Sequence, residues 1–334
     1  MSWHLVYDSY TNASYKVRSD YSDILKSENY IGPLLDFLFD VLGHSAGRPL
    51  SLDKARFDPS IIRNYNMWEA TDSEPSERNM QWLLINLYYL CLKYTPSLAK
   101  NWWVLCKSKQ TRIAVESWTE KFFSPLIIQD TLDDVAKWAD DPENSTEDDK
   151  ELIVKISKRS REVFAGFEVD EMMMQIVIRL PANYPLEGVK VEGINRVAVS
   201  EKKWTSWLMI TQGVITFSVC ASHALLHYYP KYLIANFQII QNGSITDGLS
   251  IFRKNVTGAL KGQTECAICY SIISSDKKMP DKRCQTCKNL FHSSCLFKWF
   301  ASSNQSTCPL CRNPFNYGTD TARKTKGRER GGPA

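Results

Sequence analysis

Apolar residues recur every three to four positions through the first 139 residues, the period of helices that bury one face. YIGPLLDFLFDVLGH (30–44) carries such a stripe. Residues 76–106 read as two apolar helices broken at Thr95-Pro96, and 112–128 and 130–141 continue the pattern. Short helices joined by Pro-containing turns suit an α-solenoid or a bundle, although no clear repeat period stands out. The aromatic stripes, Trp102-Trp103 among them, read as core.

The pattern changes after an acidic, Pro-containing stretch at 140–150, read as a linker. VFAGFEV and MMMQIVIRL show strand character, NYPLEGVKVEG (183–193) reads as a turn and a short strand, and 202–210 and 245–260 read as helices. Strands followed by helices predict an α+β domain over 151–261. Residues 204–230 contain no Asp, Glu, Lys or Arg, yet Gln212, Gly213, His223 and His227 interrupt them, so a buried or anomalous insertion is preferred to a membrane span. Residues 318–334, with five basic and two acidic side chains and no apolar core, read as a disordered basic tail.

Charge adds little: 41 Lys and Arg against 37 Asp and Glu give +4 over 334 residues, poor support for nucleic-acid binding as the main activity. The start of the chain has no basic and apolar signal pattern. Cysteine usage adds much more. Of 10 cysteines, seven lie between Cys266 and Cys311, while Cys91, Cys106 and Cys220 sit in apolar runs without a readable His partner, which disfavours a nucleophilic hydrolase.

The cluster reads Cys266-x-x-Cys269, 14 residues, Cys284-x-x-Cys287, four residues, His292-x-x-Cys295, 12 residues, Cys308-x-x-Cys311. A two-residue gap lets both ligands of a pair face one tetrahedral ion from a tight turn, and without a signal the pattern favours metal over disulfides. Eight ligands make two closed structural zinc sites with no open position for activating water. Spacing leaves the pairing open; interleaving first with third and second with fourth would knit a segment too short to fold on its own core. Residues 262–317 carry seven basic and three acidic side chains, so seven thiolates and two zinc ions leave about +1.

The order of four cysteines, one histidine and three cysteines resembles a variant RING and also a PHD finger. ECAICY, CLFKWF and CPLCR favour RING, and the PHD aromatic two residues before the last pair is here Ser306. The RING resemblance implies a cross-brace, with site one formed by Cys266, Cys269, His292 and Cys295 and site two by Cys284, Cys287, Cys308 and Cys311. It also implies that Ile268, Trp299 and Pro309 bind a ubiquitin-conjugating enzyme. Arg312 would be the non-covalent linchpin that hydrogen-bonds to both that enzyme and ubiquitin. Over residues 5–317, LYYLCLKYTPSLAKNWW, RLPANYPLEGVKVEG, NGSITDGLSIFRKNVTGALKGQTECAICYSII and KWFASSNQSTCPLCRNPF resemble the C-terminal end of the listerin family, most of all its fungal forms. The expected fold is multidomain: a HEAT/ARM-like helical stub (1–139), an RWD-like α+β domain (151–261) and a RING (262–317). The resemblance implies a cytosolic RING-type ubiquitin ligase of ribosome-associated quality control. It would act on stalled nascent chains of the large ribosomal subunit beside other quality-control subunits, with no membrane partner.

Two departures stand out. The chain is several times shorter than the family, and VCASHALLHYYPKYLIANFQIIQ (219–241) intervenes where the family runs almost directly from ITQGVITFS to NGSITDG. That apolar, patternless segment reads as translated intron sequence, with a genuine insertion as the alternative. The rival functions are a ribosome-anchoring module with a secondary RING and a PHD-like peptide reader.

Overall fold

The computed structural model describes residues 2–11, 13–53, 59–65, 76–141, 152–170, 172–215, 243–260 and 263–315. The expected acidic linker (beyond residue 141), the insertion at 219–241 and the tail at 318–334 lie outside them. The chain divides into two compact units.

Among the described residues the first unit begins with eight helices: α1 (Ser2–Thr11), α2 (Tyr15–Ser27), α3 (Ile31–Val41), α4 (Pro59–Asn64), α5 (Ser76–Tyr94), α6 (Pro96–Leu105), α7 (Lys109–Phe122) and α8 (Ser124–Asp140). The break at Thr95-Pro96 falls where the sequence places it, because Pro96 fills the first turn of α6, where no N–H is needed. The expected helix 112–128 is corrected. Pro125, which cannot donate to a preceding turn, sits in the first turn of α8, so α7 ends at Phe122. Ser108 caps α7 by accepting the Thr111 N–H at 3.2 Å. The core these helices enclose is aromatic. The fully buried Tyr88 ring meets Phe39 edge-on at 4.9 Å and Phe123 at 5.0 Å, and its hydroxyl bonds Thr119 at 2.6 Å.

The sheet that follows is an antiparallel meander in the order β1 (Leu152–Ser157), β2 (Glu162–Val169), β3 (Met172–Arg179), β4 (Lys190–Asn195). β1 is a strand the sequence reading did not separate from β2. Alternation on β2 buries Val163, Ala165 and Phe167. Two helices, α9 (Glu201–Ile215) and α10 (Ile245–Leu260), pack with each other and α9 packs on β4. Gly193 makes that approach possible: a Cβ there would run into the Trp204 indole.

This α+β portion shares the helical core. Leu186, in the NYPLEG turn, is buried in the cluster that holds Tyr88 and Trp118, with Tyr184 packed against it. Arg18 of α2 pairs with Asp247 of α10 at 3.0 Å, and the Arg253 guanidinium lies over the Trp138 ring. The Gly243 N–H donates to the Val214 carbonyl at 3.1 Å, which ties the start of the stretch before α10 to the end of α9.

The second unit holds residues 262–334 with the turn 169–172. Its regular structure is slight: β5 (Lys282–Arg283) paired with β6 (Leu290–Phe291), and α11 (Ser293–Ser303) in the gap between Cys295 and Cys308, where the sequence predicts a helix. Phe291, Leu296 and Phe315 are its only buried hydrophobics among the described residues besides Ile273 and cysteines. At roughly 1.5–3 kcal/mol for each buried side chain, so small a core needs metal staples.

Candidate metal centre

The cysteine pairs fold into three copies of one turn. In each, the N–H of the first cysteine donates to a carbonyl five residues on: Cys266 to Ser271 (2.9 Å), Cys284 to Asn289 (3.0 Å) and Cys308 to Asn313 (2.8 Å). The residue after the second cysteine donates back to the first: Tyr270 to Cys266 (2.8 Å), Lys288 to Cys284 (3.0 Å) and Arg312 to Cys308 (3.0 Å). Closing such a turn requires a left-handed backbone at that residue, and φ is 57° at Tyr270, 61° at Lys288 and 56° at Arg312. None is glycine, so each costs about 1–2 kcal/mol that the metal site must hold in place.

Those turns deliver the eight ligands as two sets. Cys266, Cys269, His292 and Cys295 form one, and Cys284, Cys287, Cys308 and Cys311 the other, with the ligand atoms of each within 4.8 Å of one another. The pairing that the sequence left open is the interleaved one. Zinc–sulfur bonds of ~2.3 Å at tetrahedral angles place two sulfurs about 3.8 Å apart, and a sulfur and an imidazole nitrogen about 3.6 Å apart. The Cys284–Cys311 and Cys287–Cys308 Sγ distances are both 3.7 Å. His292 Nδ1 lies 3.4 Å from Cys269 Sγ and 3.8 Å from Cys295 Sγ. His292 Nε2 faces the Ile272 carbonyl at 3.1 Å, so with that nitrogen protonated Nδ1 presents its lone pair to the ion.

Electrostatics agree with the geometry. Burial and the neighbouring Cys269 push the Cys295 thiol up to about 12, and burial does the same to Cys308. Hydrogen bonds from the Asn289 side chain and backbone draw Cys287 down to about 6, and the Asn313 N–H lowers Cys311. Three sulfurs in one set and four in the other, this close together, cannot all ionise unless a cation sits among them; zinc supplies it and leaves no open coordination position. Both sets are structural zinc sites.

The other expected site residues sit on this frame. Ile268 is half-buried in the first knuckle and Pro309 half-buried in the third. Trp299, 37% exposed, is on α11, and Arg312 is exposed. The structure also exposes Leu310 and Tyr270 in those same knuckles, at 49% and 75%. The sequence reading passed over both, although each stands inside or directly after a quoted ligand pair. The remaining cysteines form no second site among the described residues: Cys91 is fully buried, its thiol raised by that burial, and its Sγ contacts Thr95.

Three family descriptions match successive parts of the chain: "LTN1 family HEAT repeat region" over residues 1–136, "Ubiquitin conjugating domain-like" over 152–218 and "Ring finger domain" over 264–312. The chain is 51% identical to the Neurospora crassa E3 ubiquitin-protein ligase listerin, over 97% of the chain and 19% of that protein. It is 35% identical to the Schizosaccharomyces pombe listerin and 34% to that of Saccharomyces cerevisiae, over 94% and 93% of the chain and 18% of each relative. The chain thus spans about a fifth of the length of the curated relatives it matches. The fold is a helical HEAT region, an RWD-like α+β domain and a RING.

Proposed function

We propose that this homologue of the listerins is a RING-type ubiquitin ligase, and that its zinc-bound unit holds a ubiquitin-charged conjugating enzyme while a substrate lysine attacks the thioester. The observation that carries the reading is the pair of interleaved, coordinatively closed metal sites. They make a rigid platform and offer no open metal position for chemistry. The chain therefore acts by orientation: it restricts the charged enzyme to geometries in which the thioester is exposed to the incoming amine. No cysteine of this unit forms an intermediate with ubiquitin, because all seven are committed to metal.

Ile268, Pro309 and Trp299 contribute apolar surface for docking the conjugating enzyme. Arg312 bridges that enzyme and ubiquitin. Its guanidinium can donate to two carbonyl oxygens at once, and its backbone is fixed by the knuckle that closes on Cys308. The substrates in this reading are nascent chains stalled on the large ribosomal subunit, in the cytosol, beside other quality-control subunits. At one end of the sheet, Arg159, Arg161 and Lys190 are exposed and carry no ion pair among the described residues, which suits a phosphate-rich partner.

The test is discharge. Purified chain is mixed with ubiquitin-charged conjugating enzymes and free lysine, without ribosomes. Acceleration over the enzyme alone is expected for at least one of them. A chain that carries both zinc ions yet accelerates none would refute the ligase reading and favour an anchoring module.

A further inference from the structure

Ile273 is buried, and its backbone N–H donates to a carboxylate oxygen of Asp170 at 2.7 Å, across 103 positions of sequence. Asp170 belongs to the two-residue connection between β2 and β3, and that turn groups with the zinc-binding unit. Its φ is 48°, a left-handed value that glycine or asparagine would hold at least as well. What the carboxylate adds is the bond to Ile273. A buried backbone donor is costly without an acceptor, and an ionised acceptor makes the stronger bond.

The same peptide group meets a zinc ligand at its other end. The Ile273 N–H and the Ile272 carbonyl belong to one peptide, and that carbonyl faces His292 Nε2 at 3.1 Å. A peptide is planar, so fixing the direction of its N–H fixes that of its carbonyl. The chain on either side closes on itself: the Cys266 N–H donates to the Ser271 carbonyl and the Ser274 N–H to the Lys278 carbonyl, each at 2.9 Å. The peptide lies between those two turns, and Asp170 supplies the cross-link from outside them. Accepting the N–H also polarises the peptide and strengthens its carbonyl as an acceptor. An imidazole ligand held in this way through its second nitrogen keeps one tautomer and one ring direction. Site two has four sulfurs and no imidazole, so the effect is confined to site one.

We propose that Asp170 is a positioning residue for the first zinc site: through the Ile272–Ile273 peptide it fixes the acceptor that orients His292. The proposal rests on the zinc sites and stands or falls independently of ligase activity.

The experiment uses the full chain loaded with zinc, or with cadmium-113 in its place. Wild type, Asp170→Gly and Asp170→Asn are compared for zinc content, release of each zinc equivalent to a chelator, and the two cadmium resonances. Those separate because one ion has three sulfurs and a nitrogen and the other four sulfurs. Glycine accepts the left-handed backbone, so Asp170→Gly removes the carboxylate without straining the turn. One of its two zinc equivalents is expected to leave about 10-fold faster than in wild type and the other within about twofold, and only the resonance of the sulfur–nitrogen site should move. Asp170→Asn keeps an acceptor oxygen and is expected to bring release back to within about threefold of wild type. Release of both equivalents from Asp170→Gly at wild-type rates overturns the proposal. So does equal acceleration of both, or failure of that variant to bind zinc, either of which makes the role one of general folding. An Asn variant no better than the Gly variant removes the hydrogen bond as the cause and overturns it too.

Discussion

His44 lies in the middle of the helical core with no exposed surface, and neither ring nitrogen has a hydrogen-bond partner. Its ring stands edge-on to Phe39 and to Trp118, each at 4.8 Å. Burial lowers its pKa from 6.5 to about 4; the Leu42 backbone carbonyl opposes the shift slightly without reaching hydrogen-bond geometry. The unfolded chain therefore binds the proton first as pH falls. Stability is intact above pH 6.5, declines from there toward pH 4, and is lower by about 3 kcal/mol once both states are protonated. Between pH 7 and pH 5 the loss from this one residue is about 2 kcal/mol. His44→Leu removes both unsatisfied nitrogens, worth about 1–3 kcal/mol, and gives up the two aromatic contacts, worth about 0.5–1.5 kcal/mol each, so near-neutrality is expected at pH 7. Urea denaturation of wild type and variant at both pH values isolates the effect, since acid release of zinc is common to the two chains. The variant should be the more stable by about 2 kcal/mol at pH 5. Parallel losses, within about 0.5 kcal/mol, would show that this imidazole does not charge on unfolding.

Three other outcomes follow from the geometry. Arg312→Ala should slow lysine discharge far more than it weakens binding of the conjugating enzyme; equal discharge rates for mutant and wild type would remove its bridging role. Trp299→Ala should act on docking instead, raising Kd by roughly 5–150-fold, the loss of about 1–3 kcal/mol for an aromatic anchor, and an unchanged titration would count against it. Deleting residues 219–241 should leave zinc content unchanged and the thermal midpoint within a few degrees, because Gly243 and Val214, on either side of it, are already hydrogen-bonded to each other. A deletion variant that aggregates or loses its midpoint would make that segment part of the fold.

The metal ligands were legible because two-residue spacing is a local constraint, met within single turns. Their pairing was not, since sequence separation alone does not say which turns face each other; the 3.7 Å sulfur distances do. Tyr270 and Lys288 were passed over for a related reason: left-handed backbone at a non-glycine residue carries no compositional mark. Helices were readable from their apolar period, with the error at 112–128 arising where Pro125 outweighed a continuing stripe. The burial of Leu186 among the helices was beyond reach, because the other buried members of its cluster all lie at Ile127 or earlier, 59 or more positions away.

The most direct test couples metal to activity in one sample of the full chain, natively purified. Zinc is quantified, and lysine discharge is measured before chelation, after chelation and after zinc is restored. Two equivalents of zinc, with acceleration lost on chelation and recovered on restoration, are expected. Fewer than two equivalents, or acceleration that survives complete removal of the metal, would contradict the claim that a zinc-knit platform performs the reaction.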